Sequence, residues 1–291
     1  MTSVGAVFRP QSPPEQLREV AQAAEAAGLD QLWLWEDCFL ESGIASAAAA
    51  LAWTERLTVG IGLLPVPLRN AAIASMEAAT MHRLFPGRFV LGMGHGVQSW
   101  MGQVGARAES PLTLLREHLD AMRALLRGKT VTTEGRYVRL DAVALDWPPT
   151  APAPVFAGAK GPRTVRLSGE AADGTIFEAS TTPADLRAGL RLIDEGRAAA
   201  GRTGDHHVLV YMNAATGPGA EDRLRRELAR DGQDITPGRL GAAGDAQTVA
   251  KAVELLAEAG ADSVVLQPTA DEPDPVGFVR FVAQEVRPLV G

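Results

Sequence analysis

Leu84-Phe85-Pro86-Gly87-Arg88-Phe89-Val90-Leu91-Gly92-Met93-Gly94-His95-Gly96 is the stretch on which the reading of this chain turns. The run from Arg88 to Leu91 has the character of a strand covered on both faces, and it leads straight into alternating glycines and a single histidine. Glycine has no Cβ, so backbone amides there can approach a bound group closely. Ligands of barrels and layered α/β folds bind at the carboxyl ends of strands. The stretch reads either as the floor of a cofactor site or as a tight strand-to-helix turn that needs glycine for its backbone alone.

Outward from it, one junction recurs. Ala27-Gly28-Leu29-Asp30 leads into Gln31-Leu32-Trp33-Leu34, and Ala259-Gly260-Ala261-Asp262 leads into Ser263-Val264-Val265-Leu266. Ala171-Ala172-Asp173-Gly174 before Thr175-Ile176-Phe177 is a looser third copy. In each, a helix stops at small residues, where glycine suits the left-handed position, and an apolar strand begins. Ser12-Pro13-Pro14-Glu15 reads as a capping box, Ser110-Pro111 opens another helix, and Asn70 and Asp245 cap two more.

Strands are expected over 3–8, 29–35, 57–64, 88–93, 155–157, 175–177, 207–213 and 263–267. Eight strands alternating with helices predict a parallel sheet, and the number fits an α/β TIM barrel whose first and last strands close it. A doubly wound open sheet would place its glycine-rich turn after the first strand, where Phe8-Arg9-Pro10-Gln11 has no glycine. The chain is read as a single barrel domain, 1–291, with insertions at about 130–154 and 216–244. If they follow strands, both insertions lie near the barrel mouth as lids or binding loops.

At 291 residues the chain can bury a full-sized core. Lys+Arg 28 against Asp+Glu 35 gives a net charge of −7, which argues against a nucleic-acid partner. No apolar run approaches the ~20 residues of a membrane span, and the first residues lack the pattern of a signal peptide. One cysteine, Cys38, leaves no internal disulfide. A cytoplasmic protein is expected.

The strand ends carry the chemistry. The second ends Trp35-Glu36-Asp37-Cys38-Phe39, and successive strand residues point to opposite faces, so Glu36 and Asp37 cannot both face the barrel axis while the strand stays regular. One carboxylate could cap the next helix, and Cys38 could be a packed, inert thiol. The third ends Gly60-Ile61-Gly62-Leu63-Leu64-Pro65, where glycine before the end suggests a bulge against a flat ligand. Gly158-Ala159-Lys160-Gly161-Pro162-Arg163 sits where a strand meets a helix start, a pattern suited to a phosphate. Its alternative is a short turn with two solvated cations. Gly241–Thr248 is a weaker anion loop, because Asp245 would repel phosphate. His206-His207 lies at a strand start, the stability face of a barrel, and no metal-binding spacing of His and Cys occurs.

Taken together, Leu32–Phe39, Leu57–Gly62, Phe85–Gly94, Leu125–Gly128 with Val131 and Gly135, Gly158–Arg163, Ala172–Gly174 and Gly244-Asp245 with Val249 are in the order found in the luciferase-like monooxygenase superfamily. The chain resembles that superfamily, and within it the oxidoreductases that use the deazaflavin coenzyme F420, the branch that includes methylenetetrahydromethanopterin reductases. The resemblance implies a TIM barrel with a flavin-type ring at its carboxyl face, lying against a bulge with a non-prolyl cis peptide at Gly62-Leu63, next to Leu64. It implies that Gly94, His95, Gly96 and Gln98 meet the ring and ribityl chain, and that Gly158, Ala159, Lys160 and Gly161 hold the phosphate. It places Asp37 beside the reactive ring edge. Relatives often carry histidine directly after that aspartate; here it is Cys38, which does not exchange a proton near neutral pH as imidazole does. Asp37 or Glu36 is then left to serve.

The expected function is hydride transfer between coenzyme F420 and a small organic substrate, with no metal. An FMN-dependent monooxygenase and a non-catalytic flavin-binding protein are the alternatives. The Ala-rich helix 44–53 offers either a homodimer contact or ordinary barrel packing.

Overall fold

Residues 2–233, 236 and 240–291 are described by the computed structural model. Its strands are β1 (Ser3–Val7), β2 (Gln31–Leu34), β3 (Thr58–Pro65), β4 (Phe89–Gly94), β5 (Val131–Glu134), β6 (Arg139–Val143), β7 (Val155–Gly158), β8 (Gly174–Phe177), β9 (His207–Ala215), β10 (Ala242–Ala243) and β11 (Ser263–Pro268). Eight of them pair in parallel in the order β9-β11-β1-β2-β3-β4-β7-β8, and β8 pairs back to β9, so the sheet closes into a barrel. All eight expected strands are present. β10 adds a short parallel pairing to the end of β9.

Alternation along the strands builds two cores. On β2, Leu32 and Leu34 face the helices, whereas Trp33 points inward among Val7, Phe156, Ile176, Leu209, Tyr211 and Val265. Trp33 fills the space that a side chain on its β3 neighbour would need: a Cβ on Gly60 would stand 2.5 Å from the indole ring. Gly60→Ala is expected to cost about 2 kcal/mol, as overpacking of a filled core does, and to lower Tm in a circular-dichroism melt. An unchanged Tm would mean that the ring moves aside freely.

Gly28 (φ +81°) and Gly260 (φ +109°) take the left-handed positions expected of them, whereas Gly174 starts β8 directly. Asn70 and Asp245 cap their helices through Ala72 N and Thr248 N. The expected capping box at Ser12 is absent. The Ser12 amide closes a turn on the Arg9 carbonyl, and the two prolines open a short 3-10 turn, Pro14–Gln16, instead.

The insertion at 130–154 does not follow a strand, the condition on which it is expected at the mouth, although its hairpin reaches back to the start of the preceding helix, where the Ser110 amide donates to the Tyr137 hydroxyl. It leaves the end of the helix Pro111–Leu126, not a strand, so it begins at the amino end of the barrel. The β5–β6 hairpin runs along the outside of that helix, where Glu117 accepts from the amides of Arg136, Tyr137 and Val138. The proline-rich return, Pro148–Pro154, lines a hollow of ≈ 750 Å³ beside Asp173 and His207. Arg123, Arg202 and, more distantly, Arg127 converge there on Asp173. His206 and His207 bond Thr175 and Ser263, and burial lowers the His206 pKa to about 4. Of the insertion at 216–244, residues 234, 235 and 237–239 lie outside the described residues. The remainder follows β9 and puts the helix Ala220–Arg230 at the mouth, against Arg9 and Ala270. No helix among the described residues is long and apolar enough to cross a membrane.

Candidate active site

A cleft of ≈ 400 Å³ opens at the carboxyl ends of the strands. Leu63, Ile176, Trp35 and Trp100 supply apolar wall, and Asp37, Glu36, His95, Lys160, Glu178 and Tyr211 supply the polar groups. The hollow at the amino end is larger, but it lies on the face that serves stability, and its arginines are engaged with Asp173.

β3 breaks register with β4 between Ile61 and Leu64, and the Gly62-Leu63 peptide is cis, as the family resemblance implied. A second cis peptide, Cys38-Phe39, carries no signal in the sequence. The bulge is held from two sides: the Tyr211 hydroxyl donates to the Gly62 carbonyl at 3.2 Å, and the Glu36 amide donates to the Leu63 carbonyl at 3.2 Å. Burial pushes the Tyr211 phenol well above its usual range, so it stays a donor. The Leu63 side chain lies over β4 and β7, where a Cβ on Gly94 or Gly158 would approach it to 2.3 or 2.2 Å. Both glycines therefore make room for Leu63, a use distinct from ligand approach. Leu64 is fully buried in the outer core. Gly96 adopts φ +66° and turns the chain back along the cleft rim.

β2 ends at Leu34, so strand alternation no longer applies at Glu36 and Asp37; both line the cleft, but with different partners. Glu36 accepts two bonds from Arg69, at 2.5 and 2.8 Å, and a third from the Gly43 amide at 2.9 Å. That bidentate, charge-assisted geometry ties the end of β2 to the loop after β3 and to the start of the next helix. Asp37 accepts from Trp35 Nε1 at 2.9 Å and from the Gln11 side chain. Burial raises the Asp37 pKa above its ordinary value, against the opposing pull of those two hydrogen bonds and of the Arg9 cation. Cys38 does not line the cleft, and burial, with Glu36 and Asp37 beside it, pushes its thiol up. It is therefore a poor thiolate.

His95 shares a hydrogen bond with the Thr164 hydroxyl through Nε2 at 3.1 Å, and its buried Nδ1 has no hydrogen-bond partner. Burial lowers its pKa, opposed by the Pro111 carbonyl, so the ring favours its neutral form. Gln98 lies outside the cleft lining and braces the turn by donating to the carbonyls of His95 and Gly96. Lys160 and Ala159 line the cleft, with Gly161 at the cap of the helix Pro162–Ala171. A Cβ on Gly161 would meet nothing within 4 Å. Lys160 Nζ sits 2.6 Å from Glu178 Oε1, so the cation offered to phosphate already has a carboxylate partner.

Tyr211, Trp100, Glu178, Gln11 and Arg9 escaped the sequence reading. The inward alternation Leu209, Tyr211 along β9 could have identified Tyr211; the others depend on loop paths that no local pattern encodes.

The chain is 31% identical over 199 residues to a 5,10-methylenetetrahydromethanopterin reductase of Methanolobus tindarius, covering 68% of this chain and 60% of that protein. It is 34% identical over 180 residues to an F420-dependent glucose-6-phosphate dehydrogenase of Mycobacterium avium, covering 57% and 54%. The chain thus spans less than two thirds of the length of either relative. An F420-dependent secondary alcohol dehydrogenase in complex with an F420-acetone adduct has the same fold, with a TM-score of 0.87 over 100% of this chain and 99% of its own, at 23% identity. The family model of the luciferase-like monooxygenases matches residues 2–231, from the start of β1 through the helix that follows β9. This chain belongs to the luciferase-like monooxygenase family.

Proposed function

We propose that this protein transfers a hydride between coenzyme F420 and a small organic substrate, with Asp37 moving the accompanying proton. The observation that carries the reading is a carboxyl of raised pKa, hydrogen-bonded but not salt-bridged, in a largely apolar cleft over a bulged strand end. The name of the F420-dependent glucose-6-phosphate dehydrogenase among the relatives supports the cofactor.

The residues present fit such a group. His95 Nδ1 is buried beside the cleft with no hydrogen-bond partner, and the bulge presents backbone to a flat ring. Leu63, His95, Gly96, Gly158 and Ala159 would hold the ring and its chain, and Gly161 leaves open space at a helix start for an anionic end. Lys160 and Glu178 are 77% and 41% exposed, so Lys160 can exchange its carboxylate for that anion. When bound, the cofactor carries the hydride to or from the substrate. The protein keeps the bulge fixed through Tyr211, excludes water with Trp35, Trp100 and Leu63, and holds a proton on Asp37 at the cleft wall. Glu36, engaged by Arg69 and Gly43, positions the loop that carries Asp37.

The test is a parallel titration of purified protein with coenzyme F420 and FMN, followed by fluorescence quenching. Saturable binding of F420 with at least tenfold preference over FMN, ~1.4 kcal/mol, is expected. Preference for FMN would replace this reading with oxygen-dependent monooxygenation.

A further inference from the structure

Asp37 is held by more than its own loop, because both of its hydrogen-bond donors lead back to Arg9. Arg9 follows β1 and is buried. Its Nε donates to Gln11 Oε1 at 3.1 Å. With Oε1 so occupied, Gln11 turns its amide N–H toward Asp37, to which it hydrogen-bonds. The Arg9 guanidinium also lies 5.7 Å over the ring of Trp35, whose Nε1 is the other donor to Asp37.

Arg9 is anchored in turn from the two neighbouring strand ends, β11 and β9. Its Nη1 donates to Glu227 Oε1 at 2.6 Å and to the Pro268 carbonyl, at the end of β11, at 2.9 Å. Glu227 is 3% exposed, and its Oε2 accepts from the Ala270 amide at 3.0 Å. It belongs to the helix Ala220–Arg230, within the segment inserted after β9.

We propose that Arg9, locked by Glu227, is a positioning residue for Asp37: through Gln11 and Trp35 it sets where the carboxyl points and which charge it faces, and it wires the helix Ala220–Arg230 to the cleft. The proposal deepens the reading of Asp37 as the proton-moving group and rests on it for its effect on turnover.

Its sign follows from the groups around the acid. Glu36, neutralised by Arg69, and Cys38 face Asp37 from its own segment, and His95, Tyr211 and the Lys160–Glu178 pair share the cleft. Arg230 and the Arg223–Glu272 pair stand near Glu227. Burial favours neutral Asp37, while Arg9 and the two donors favour the carboxylate. Removing Arg9 together with its buried partner, or Gln11 alone, therefore makes Asp37 hold its proton more tightly. Removing only the Glu227 charge leaves the Arg9 cation uncancelled and has the opposite sign.

The experiment is a pH titration of the cofactor-free protein carrying 13C-carboxyl aspartate, read by NMR, with the Asp37 signal assigned by its loss in D37N. The Asp37 midpoint is expected to rise by about one pH unit in R9M/E227M and in Q11L, and to fall in E227Q. Q11L leaves the buried ion pair intact, so the answer survives if the double variant fails to fold. An Asp37 midpoint in Q11L indistinguishable from wild type overturns the proposal. Neither cofactor nor substrate enters this measurement. If the midpoints move but D37N turns over normally, the role of Asp37 falls while the relay stands.

Discussion

Asp37→Asn is expected to lower kcat by at least ~10²-fold, the usual contribution of a positioned acid or base, with little change in cofactor affinity. The substituted amide keeps an oxygen for Trp35 Nε1 but cannot deliver or accept the proton. Because burial raises the Asp37 pKa, a mechanism that needs it protonated loses rate as pH climbs through that raised value. The alkaline limb of the kcat profile should therefore disappear in the variant. Steady-state kinetics on the hydride donor found by screening with oxidised F420, or the hydride acceptor found with its reduced form, provide the check. Turnover and pH profile equal to wild type would remove Asp37 from the mechanism. Bound cofactor with no turnover on any acceptor, even in the wild type, would leave a protein that only binds flavin.

The second large effect is on folding. Arg123→Met should destabilise the protein by about 2 kcal/mol at neutral pH, the range for losing hydrogen bonds to a charged group, since the pair is only part-buried and Arg202 stays to compensate. Burial alone would raise the Asp173 pKa, but the Arg123 guanidinium, with help from the Val155 amide and Arg202, holds it below its ordinary value. A depressed carboxyl contributes stability that is present above its unfolded pKa, about 4, and lost as pH falls through the folded value. The gap in denaturation midpoint between wild type and variant should therefore be widest near pH 7 and narrow below pH ~4. A gap that stays constant with pH would mean that Arg123 contributes packing rather than charge.

Much of the barrel was legible in the linear chain because its signals are local. An apolar run between helix ends, a glycine able to take positive φ as at Gly28 and Gly260, and caps such as Asn70 and Asp245 depend on neighbours within a turn or two. The bulge at Gly62-Leu63 was read from its glycines and from the family pattern. Where the insertion at 130–154 departs from the barrel is not legible, because a loop's composition does not say whether it follows a helix or a strand; it follows a helix.

The candidate site was legible as a set of strand ends but not as chemistry. Glu36 and Asp37 look alike in sequence; they differ because Arg69, 33 residues on, takes Glu36, while Asp37 meets Gln11 and Trp35. The glycines at 94 and 158 suggested a ligand, yet each makes room for Leu63 from another strand. Arg9 and Glu227 meet across 218 residues. The barrel strands, their count and the strand ends that line the cleft follow from the linear chain, because hydrophobic period and backbone freedom act over a few residues. Which carboxylate an arginine engages and which has its pKa raised by burial was decided by closure of the barrel, since burial and ion pairing arise only when distant strand ends meet.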